Sequence, residues 1–300
     1  MPTIIRTTLA AAMVVVAALS FCATLQGRQT VQAAQTDVYA VTRNGFKTRY
    51  WKNGREVGEF RFDGFSIGRS CQSGGDTYRS TPFAEGSRLA IQKNDSTIHY
   101  LTDGARAAYA NFVFISGADI YAGGEEKNQQ GAWVATVWKN GAVLHRLTDG
   151  SKDAAVNVLF VSSGDAYAGG REDNSKGRGV ASVWKNGAVL HRLTDGARYA
   201  TVKSLFVSDG DVYAGGWEAD GARNSIAVVW KNGEVLHRLN PDGATKAVVH
   251  SLFVQGADVY AAGFEGTTGK KGSAMVWKNG AVLYRLCDSD FDADHLVFAK

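Results

Sequence analysis

Residues 211–239 read DVYAGGWEADGARNSIAVVWKNGEVLHRL, and this stretch holds three of the four strands predicted for one unit of a repeat. Its tetrapeptide Trp-Lys-Asn-Gly recurs at 51–54, 138–141, 184–187, 230–233 and 277–280. A degenerate copy, Gln92-Lys93-Asn94-Asp95, fills the one gap of double length. Successive copies begin 41, 46, 46, 46 and 47 residues apart, so the chain has six units at a period typical of stacked or radial repeat proteins.

Each unit is predicted to form four short strands. In the fifth unit these cover Thr201–Ser208, Asp211–Trp217, Ser225–Trp230 and Glu234–Leu239. The last two are joined by Asn-Gly, the dipeptide that best accommodates the positive φ angles of a type I′ hairpin turn. Beyond the N-terminal segment no window shows helical periodicity. The sequence therefore predicts an all-β fold, a six-bladed β-propeller of four-stranded blades over residues 35–300.

The two ends of the repeat region are complementary. The first unit starts at Asp37-Val38-Tyr39-Ala40, which matches second-strand starts, so it lacks a first strand. The segment His295–Phe298 resembles the first-strand core Ser204–Val207. We therefore expect the C-terminal segment to supply the innermost strand of blade one and to close the ring, which removes an open sheet edge.

Residues 1–34 are predicted to be a secretory signal peptide. Arg6 precedes an apolar run over residues 9–19, and Val31-Gln32-Ala33 has the small-residue pattern of a cleavage site after Ala33 or Ala34. An uncleaved membrane anchor is the alternative. No other stretch is apolar enough to span a membrane, so the mature protein is expected in the periplasm, the cell envelope or the extracellular space.

Charge and cysteine content narrow the classes of partner. The 33 Lys and Arg residues against 29 Asp and Glu residues leave a formal charge of +4, which is too small to indicate a nucleic-acid binder.

Cys71 and Cys287 remain after signal removal. We expect them to stay unpaired, because they fall in different blades and a disulfide requires close Cα atoms. The protein is expected to be a monomer.

The units resemble a Trp-Lys-Asn-Gly repeat found in exported bacterial proteins without assigned function, and the resemblance covers residues 37–300. Tyr-Ala-Gly-Gly at 121–124, 167–170 and 213–216 is also similar to kelch repeats, although the period is shorter. The Gly-His and Trp-Asp signatures of WD40 repeats are absent. These resemblances imply a propeller fold and supply no catalytic residues.

Most polar residues that recur in the units are predicted to be structural. His99, His145, His191 and His237 occupy one repeat position, so they should point away from one another rather than converge on a metal. The glutamates at 126, 172, 218 and 265 are expected to pair with Lys or Arg of the loops. The repeated tryptophans are expected to form the core between blades. Function is therefore expected where the repeats differ.

One aligned position near the start of the innermost strand is polar but not repeated. Its occupants are predicted to line the mouth of the central channel as a ligand-binding site, together with Arg69 at the neighbouring position. They are Asn111, Asn157, Lys203, His250 and Asp294. Lys203 and Arg69 would supply positive charge, and His250 or Asp294 would accept hydrogen bonds from a small polar or anionic ligand.

A second irregular segment is rich in carboxylates. Asp288, Asp290 and Asp292 alternate along the chain, which resembles the opening of a Ca²⁺-binding loop. The turn glycine is missing and Ala299 stands where the bidentate acid would lie, so a solvated acidic loop is the alternative. No other cofactor is predicted.

Three functional classes remain open from the sequence. The first is an exported binding module whose partner is a protein, a glycan or a small polar ligand. The second is a propeller enzyme, a hydrolase or lyase acting on a glycan or small polar substrate. The third is a structural component of the cell envelope. No nucleophile–base set is recognisable, which favours the binding module.

Overall fold

The structure, a computed structural model, describes residues 37–44, 47–61, 70–81, 88–221, 224–239, 244–267, 272–288 and 292–299. The predicted signal peptide lies outside these ranges. Every regular element within them is a β-strand, as the sequence predicts.

The described strands follow one another in groups that match the repeat. The first half of the chain contains β1 (Val38–Asn44), β2 (Lys47–Lys52), β3 (Arg55–Arg61), β4 (Ser70–Ser73), β5 (Asp76–Ser80), β6 (Ala90–Lys93), β7 (Ser96–Tyr100), β8 (Ala108–Ser116), β9 (Asp119–Lys127), β10 (Trp133–Lys139) and β11 (Ala142–Arg146). The second half contains β12 (Ala154–Ser162), β13 (Asp165–Asp173), β14 (Gly179–Lys185), β15 (Ala188–Arg192), β16 (Ala200–Ser208), β17 (Asp211–Ala219), β18 (Ser225–Lys231), β19 (Glu234–Arg238), β20 (Lys246–Gln255), β21 (Asp258–Gly266), β22 (Ser273–Lys278), β23 (Ala281–Asp288) and β24 (Asp292–Ala299).

The strands form antiparallel four-stranded runs. Among the described residues, β4–β7, β8–β11 and β12–β15 are separate four-stranded sheets, and β24-β1-β2-β3 is a fourth. The runs β16–β19 and β20–β23 are joined into one eight-stranded sheet by a single parallel pair, Ser225 opposite Lys246. None of these sheets closes on itself. We call the run that contains β1 unit 1 and number the others as units 2 to 6 in chain order.

The C-terminal strand lies where the sequence predicts it. β24 pairs antiparallel with β1, with Phe298 opposite Tyr39 and Leu296 opposite Val41. The first and last strands of the chain are therefore neighbours in one sheet, which covers the edge that β1 would otherwise expose.

A network of side chains, which we call the hairpin clamp, explains the Lys-Asn pair of the repeat. In unit 3 the Asn140 side chain accepts a 2.8 Å hydrogen bond from the Ile120 amide and donates one of 2.8 Å to the Asp119 carboxylate. Lys139 pairs with the same carboxylate at 2.8 Å and lies 5.2 Å from the ring centre of Tyr121. Ion pairs of this kind join Lys52, Lys93, Lys139, Lys185, Lys231 and Lys278 to Asp37, Asp76, Asp119, Asp165, Asp211 and Asp258, respectively. The clamp ties the turn between the third and fourth strands to the start of the second.

The repeated tryptophan packs between units, as predicted. Four copies are 0–1% exposed: Trp138, Trp184, Trp230 and Trp277. Trp138 belongs to a buried cluster with Ile91 of unit 2, and Trp51 of unit 1 belongs to one with Tyr260 and Leu286 of unit 6. Each of these tryptophans therefore contributes apolar area to a joint between two neighbouring units.

The repeated histidines also lie at joints between units. A Cβ atom added to Gly187 of unit 4 would lie 2.7 Å from Nδ1 of His145 in unit 3. The same contact places His99, His191 and His237 against Gly141, Gly233 and Gly280, respectively. In unit 6, Tyr284 takes the histidine's place and packs against Gly54 of unit 1. The histidines do not converge, so the prediction that they are structural is confirmed.

The repeated glutamates pair with arginine, but the expectation that it comes from loops is wrong. Glu172 on β13 contacts Arg192 of the outermost strand β15 at 2.7 Å. The same cross-strand pair joins Glu126, Glu218 and Glu265 to Arg146, Arg238 and Arg285, respectively. The outer strand lies two strands away in the same sheet, within the reach of a long arginine side chain.

The first strands of units 3 to 6 each contain a β-bulge, and the bulge explains the second glycine of the Gly-Gly pair. In unit 4 the register shifts between Val156 and Val158, which leaves Asn157 as the extra residue. A Cβ atom on Gly170, opposite Val156, would lie 1.9 Å from the carbonyl oxygen of Ala155. Gly124, Gly216 and Gly263 meet the equivalent carbonyl in the same way. The second glycine is required because the bulged backbone occupies the space of a side chain.

Replacing Gly170 by alanine should therefore lower the free energy of unfolding by about 3 kcal/mol, because the methyl group can fit only if the bulge shifts. Gly58→Ala is the matched control, since a Cβ atom there would meet nothing within 4 Å. Urea denaturation of both variants measures the difference. Equal stability of the two variants would show that the bulge does not constrain this position.

Candidate functional site

Four of the side chains predicted to line the channel mouth are the extra residues of the inner-strand bulges. They are Asn111, Asn157, Lys203 and His250. A bulge leaves its extra residue outside the regular ladder and redirects its side chain. This variable polar position is therefore also the position at which the backbone of the strand is irregular.

The two asparagines of this set link neighbouring units. Nδ2 of Asn111 donates to the Val156 carbonyl of unit 4 at 3.0 Å and to the Glu125 carboxylate at 2.7 Å. Nδ2 of Asn157 donates to the Val202 carbonyl of unit 5 at 2.8 Å and to the Thr201 hydroxyl at 2.9 Å. Both amide hydrogens are used in each case. Asn111 and Asn157 therefore serve as brackets between bulges, and a ligand can use only their oxygen atoms without breaking these bonds.

Lys203 and His250 are the ionisable residues among these four bulge residues. Both side chains are partly buried. Burial, and in addition the positive charge of Lys203, lowers the pKa of His250 to about 4. The imidazole of His250 in unit 6 is therefore neutral at pH 7, and it lies close enough to the ammonium group of Lys203 in unit 5 to interact with it electrostatically. A neutral imidazole next to an ammonium group can donate and accept hydrogen bonds beside a fixed positive charge.

A second variable position, which the sequence comparison did not single out, accompanies the bulge. It follows the Gly-Gly pair on the second strand and is occupied by Glu125, Arg171, Trp217 and Phe264. This second position lies next to the bulge, as Glu125 shows, because its carboxylate accepts a hydrogen bond from the bulge residue Asn111. Its variation directly after a glycine that all four units share was the signal that could have identified this position.

Aromatic rings and cations meet near this second position. The rings of Tyr199 and Trp217 are stacked, with centroids 5.3 Å apart and planes inclined by 22°. Cζ of Arg171 lies 5.5 Å from the Tyr199 centroid. In unit 3, Trp133 packs against Tyr109 at 5.3 Å, and Lys127 lies 5.1 Å from the Trp133 ring. All of these groups are partly exposed, at the end of the units where the second strand ends and the third begins, which we call the loop face.

Several predicted site residues fall outside the part of the chain that the structure describes. Arg69 and Asp290 lie in undescribed segments. Asp288, Asp292 and Asp294 lie on described strands, but their side chains are not described. Within the described side chains, no group of three or more His, Cys, Asp or Glu residues is placed to hold a metal ion. The calcium loop therefore stays a prediction.

The structure also bears on the expectations about unpaired cysteines and membrane-spanning segments. Cys71 is a free thiol, and burial raises its pKa to about 12. The side chain of Cys287 lies outside the described part. In the described residues there is no helix with the length and apolar character needed to cross a membrane.

No protein-family model matches the sequence, and no curated protein matches it. Among solved structures, the chain is similar to the WD40 β-propeller domain of Doa1, with 14% identity and a TM-score of 0.45 over 85% of this chain and 95% of that one. It is also similar to the β-propeller domain of the Trilobed protease from Pyrococcus furiosus, with 11% identity and a TM-score of 0.43 over 84% and 78% of the two chains. Similarities this remote carry no information on what the chain binds.

The lowered pKa of His250 predicts a pH-dependent stability. The unfolded chain takes up a proton near pH 6.5, whereas the folded protein takes it up only near pH 4, so stability falls as the pH is lowered through this interval. The full loss is at most about 3 kcal/mol, the equivalent of the shift in pKa. Urea denaturation of the wild type and of His250→Asn between pH 7.5 and pH 4 measures it. An identical pH dependence in both proteins would contradict the assignment.

Proposed function

We propose that the six units form a closed, six-bladed β-propeller. The support is the run of equivalent joints along the chain, from the His99–Gly141 contact between units 2 and 3 to the Tyr284–Gly54 contact between units 6 and 1. The strand β24 also links units 6 and 1, because it follows unit 6 in the chain and forms hydrogen bonds with β1 of unit 1.

Deleting residues 292–300 tests closure. The deletion uncovers the edge of β1, including the buried Val38 and Ala40, and should lower the melting temperature by roughly 10 °C with increased aggregation. Adding a peptide of residues 292–300 should restore the melting temperature by strand addition, and a scrambled peptide should not. An unchanged melting temperature after the deletion would contradict a ring held by this strand.

We further propose that the protein is an exported binding module whose ligand site lies at the mouth of the channel. The carrying observation is that the strand position released from the ladder by a bulge holds a polar residue in each of units 3 to 6, and that this residue is not the same in all of them. Constant positions explain the fold through clamps, tryptophans and glycines. A mixture of Asn, Lys and His at a single irregular position suits recognition of an asymmetric ligand.

The ligand class is a small polar molecule with negative charge. Lys203 provides a cation beside the neutral imidazole of His250, and Arg69 would add a second cation at the neighbouring position. Asn111 and Asn157 hold neighbouring bulges in fixed relation, so the site is preorganised before a ligand arrives. Export rests on the order of basic, apolar and small residues over 1–34, and a mature N-terminus away from Ala34 or Gln35 would contradict it.

Calorimetric titration with inorganic phosphate and with citrate tests the mouth site. Lys203→Ala and Arg69→Ala should each weaken binding about tenfold without lowering the melting temperature, because each removes one charge from the site. Lys176→Ala, an exposed lysine on a loop of unit 4, is the control and should bind as the wild type does. Unchanged binding by both site variants, or no binding of either anion by the wild type, would contradict the proposal.

A further inference from the structure

The loop face carries a group of side chains, between units 4 and 5, that the mouth site does not use. We call this group the shelf, and it consists of Arg171, Arg178, Arg198, Tyr199 and Trp217. We propose that the shelf binds an acidic carbohydrate, with an aromatic ring packing against the apolar face of a uronic acid residue and guanidinium groups pairing with its carboxylate.

The aromatic part of the shelf is held rigidly. Tyr199 lies in the segment that connects unit 4 to β16, and Trp217 lies near the end of β17. The stacking of the two rings therefore packs this connecting segment against the second strand of unit 5. Arg171, from unit 4, lies against Tyr199 and is itself bound by an ion pair to Asp173 on the same strand. Rings fixed in this way lose little conformational freedom when a ligand packs on them.

Two further arginines reach the same segment. The guanidinium group of Arg178 donates to the carbonyl of Ala197. Arg198 lies beside the loop after Trp217, because a Cβ atom on Gly221 would be 3.7 Å from its Nε. Both arginines are exposed. Each guanidinium group has five N–H donors in a planar fork, so donors remain for a carboxylate after these contacts.

The acidic residues around the shelf already have partners. Asp173 binds Arg171, Asp195 accepts a 2.8 Å hydrogen bond from the Ala197 amide, and Asp220 accepts one of 2.7 Å from Asn224. Glu172 pairs with Arg192 on the outer strand. The carboxylates of Asp195 and Asp220 keep their charge in these hydrogen bonds, so the attraction for an anion rests on the exposed guanidinium forks of Arg178 and Arg198 and not on a net positive charge.

The repeat itself does not require these side chains. Ala107 and Asp153 stand at the position of Tyr199 in other units, and Glu125 and Phe264 stand at that of Trp217. A pyranose ring presents a face of C–H groups that packs on an aromatic ring, and a uronate adds one carboxylate at the edge of that ring. The shelf offers these two kinds of contact together.

The shelf adjoins the mouth site but is distinct from it. Trp217 is opposite Thr201 in the sheet register, and Thr201 accepts the hydrogen bond of Asn157. Lys203 and His250 take no part in the shelf. The proposal therefore does not depend on the mouth site, and variants of the two sites separate them.

The experiment is a titration of the full chain with a defined oligomer of galacturonic acid, followed by calorimetry and tryptophan fluorescence. Trp133 and Trp217 are the partly exposed tryptophans among the seven, so a fluorescence change that survives Trp133→Phe and is lost in Trp217→Ala reports the shelf. We expect Trp217→Ala and the double variant Arg178→Gln/Arg198→Gln to weaken binding about tenfold or more.

Two control variants guard against a general effect on the fold or on charge. Trp217→Phe keeps an aromatic ring and should retain most of the binding. Arg146→Gln removes an exposed arginine of an outer strand, outside the shelf, and should bind as the wild type does. Thermal unfolding of each variant identifies any loss of binding caused by misfolding.

The outcomes are distinct. Binding of the acidic oligomer that depends on the shelf variants, with little binding of the neutral galactose oligomer, supports the proposal. Equal binding of the neutral oligomer, equal binding of polyglutamate, or no binding of galacturonate by the wild type overturns it. Binding that is lost in Lys203→Ala but kept in Trp217→Ala also overturns it and assigns the sugar to the mouth.

Discussion

The hairpin clamp is the interaction on which the other features of each unit depend. One asparagine satisfies a backbone amide and a carboxylate at once, and the adjacent lysine binds the second oxygen of that carboxylate. In unit 3 these are Asn140, Asp119 and Lys139. The residue before this lysine is the buried Trp138, which packs in a cluster with Ile91 of unit 2, so the clamp lies next to the contact between the two units.

The inner strands follow a different rule from the outer ones. At the outer edge, residues such as Leu144 and Leu236 recur with similar exposure, 38% and 37%, because the same local pattern repeats without a functional demand. At the inner edge, a bulge interrupts the ladder, and the glycine opposite it is forced by the approach of a carbonyl. The side chain at the bulge lies outside the regular ladder, and in units 3 and 4 it is an asparagine that bonds to the next unit.

The repeat departs from its usual pattern at the positions where a contact between units 1 and 2 would lie. Gln92 stands where the other units have tryptophan, Asp95 replaces the glycine of the hairpin, and Gly58 replaces the histidine that would pack on it. The clamp itself is kept, since Lys93 still binds Asp76 at 2.7 Å. The local turn and the contact between units are thus separable, because the first depends on the polar pair and the second on the apolar wedge.

The all-β class, the strand positions to within about two residues, the hairpin turns and the pairing of the C-terminal strand could all be predicted from the sequence, since they depend on local periodicity and on spacings that repeat. The sequence also located the variable position at Asn111, Asn157, Lys203 and His250. The surroundings of those residues became known only from the folded chain. Four features depend on atoms from neighbouring strands or units: the bulge, the bonds of both asparagines to the next unit, the pKa of His250 and the contact of Arg171 with Tyr199. Distances between separate segments are set by packing rather than by spacing along the chain, so these features could not be predicted from the repeat.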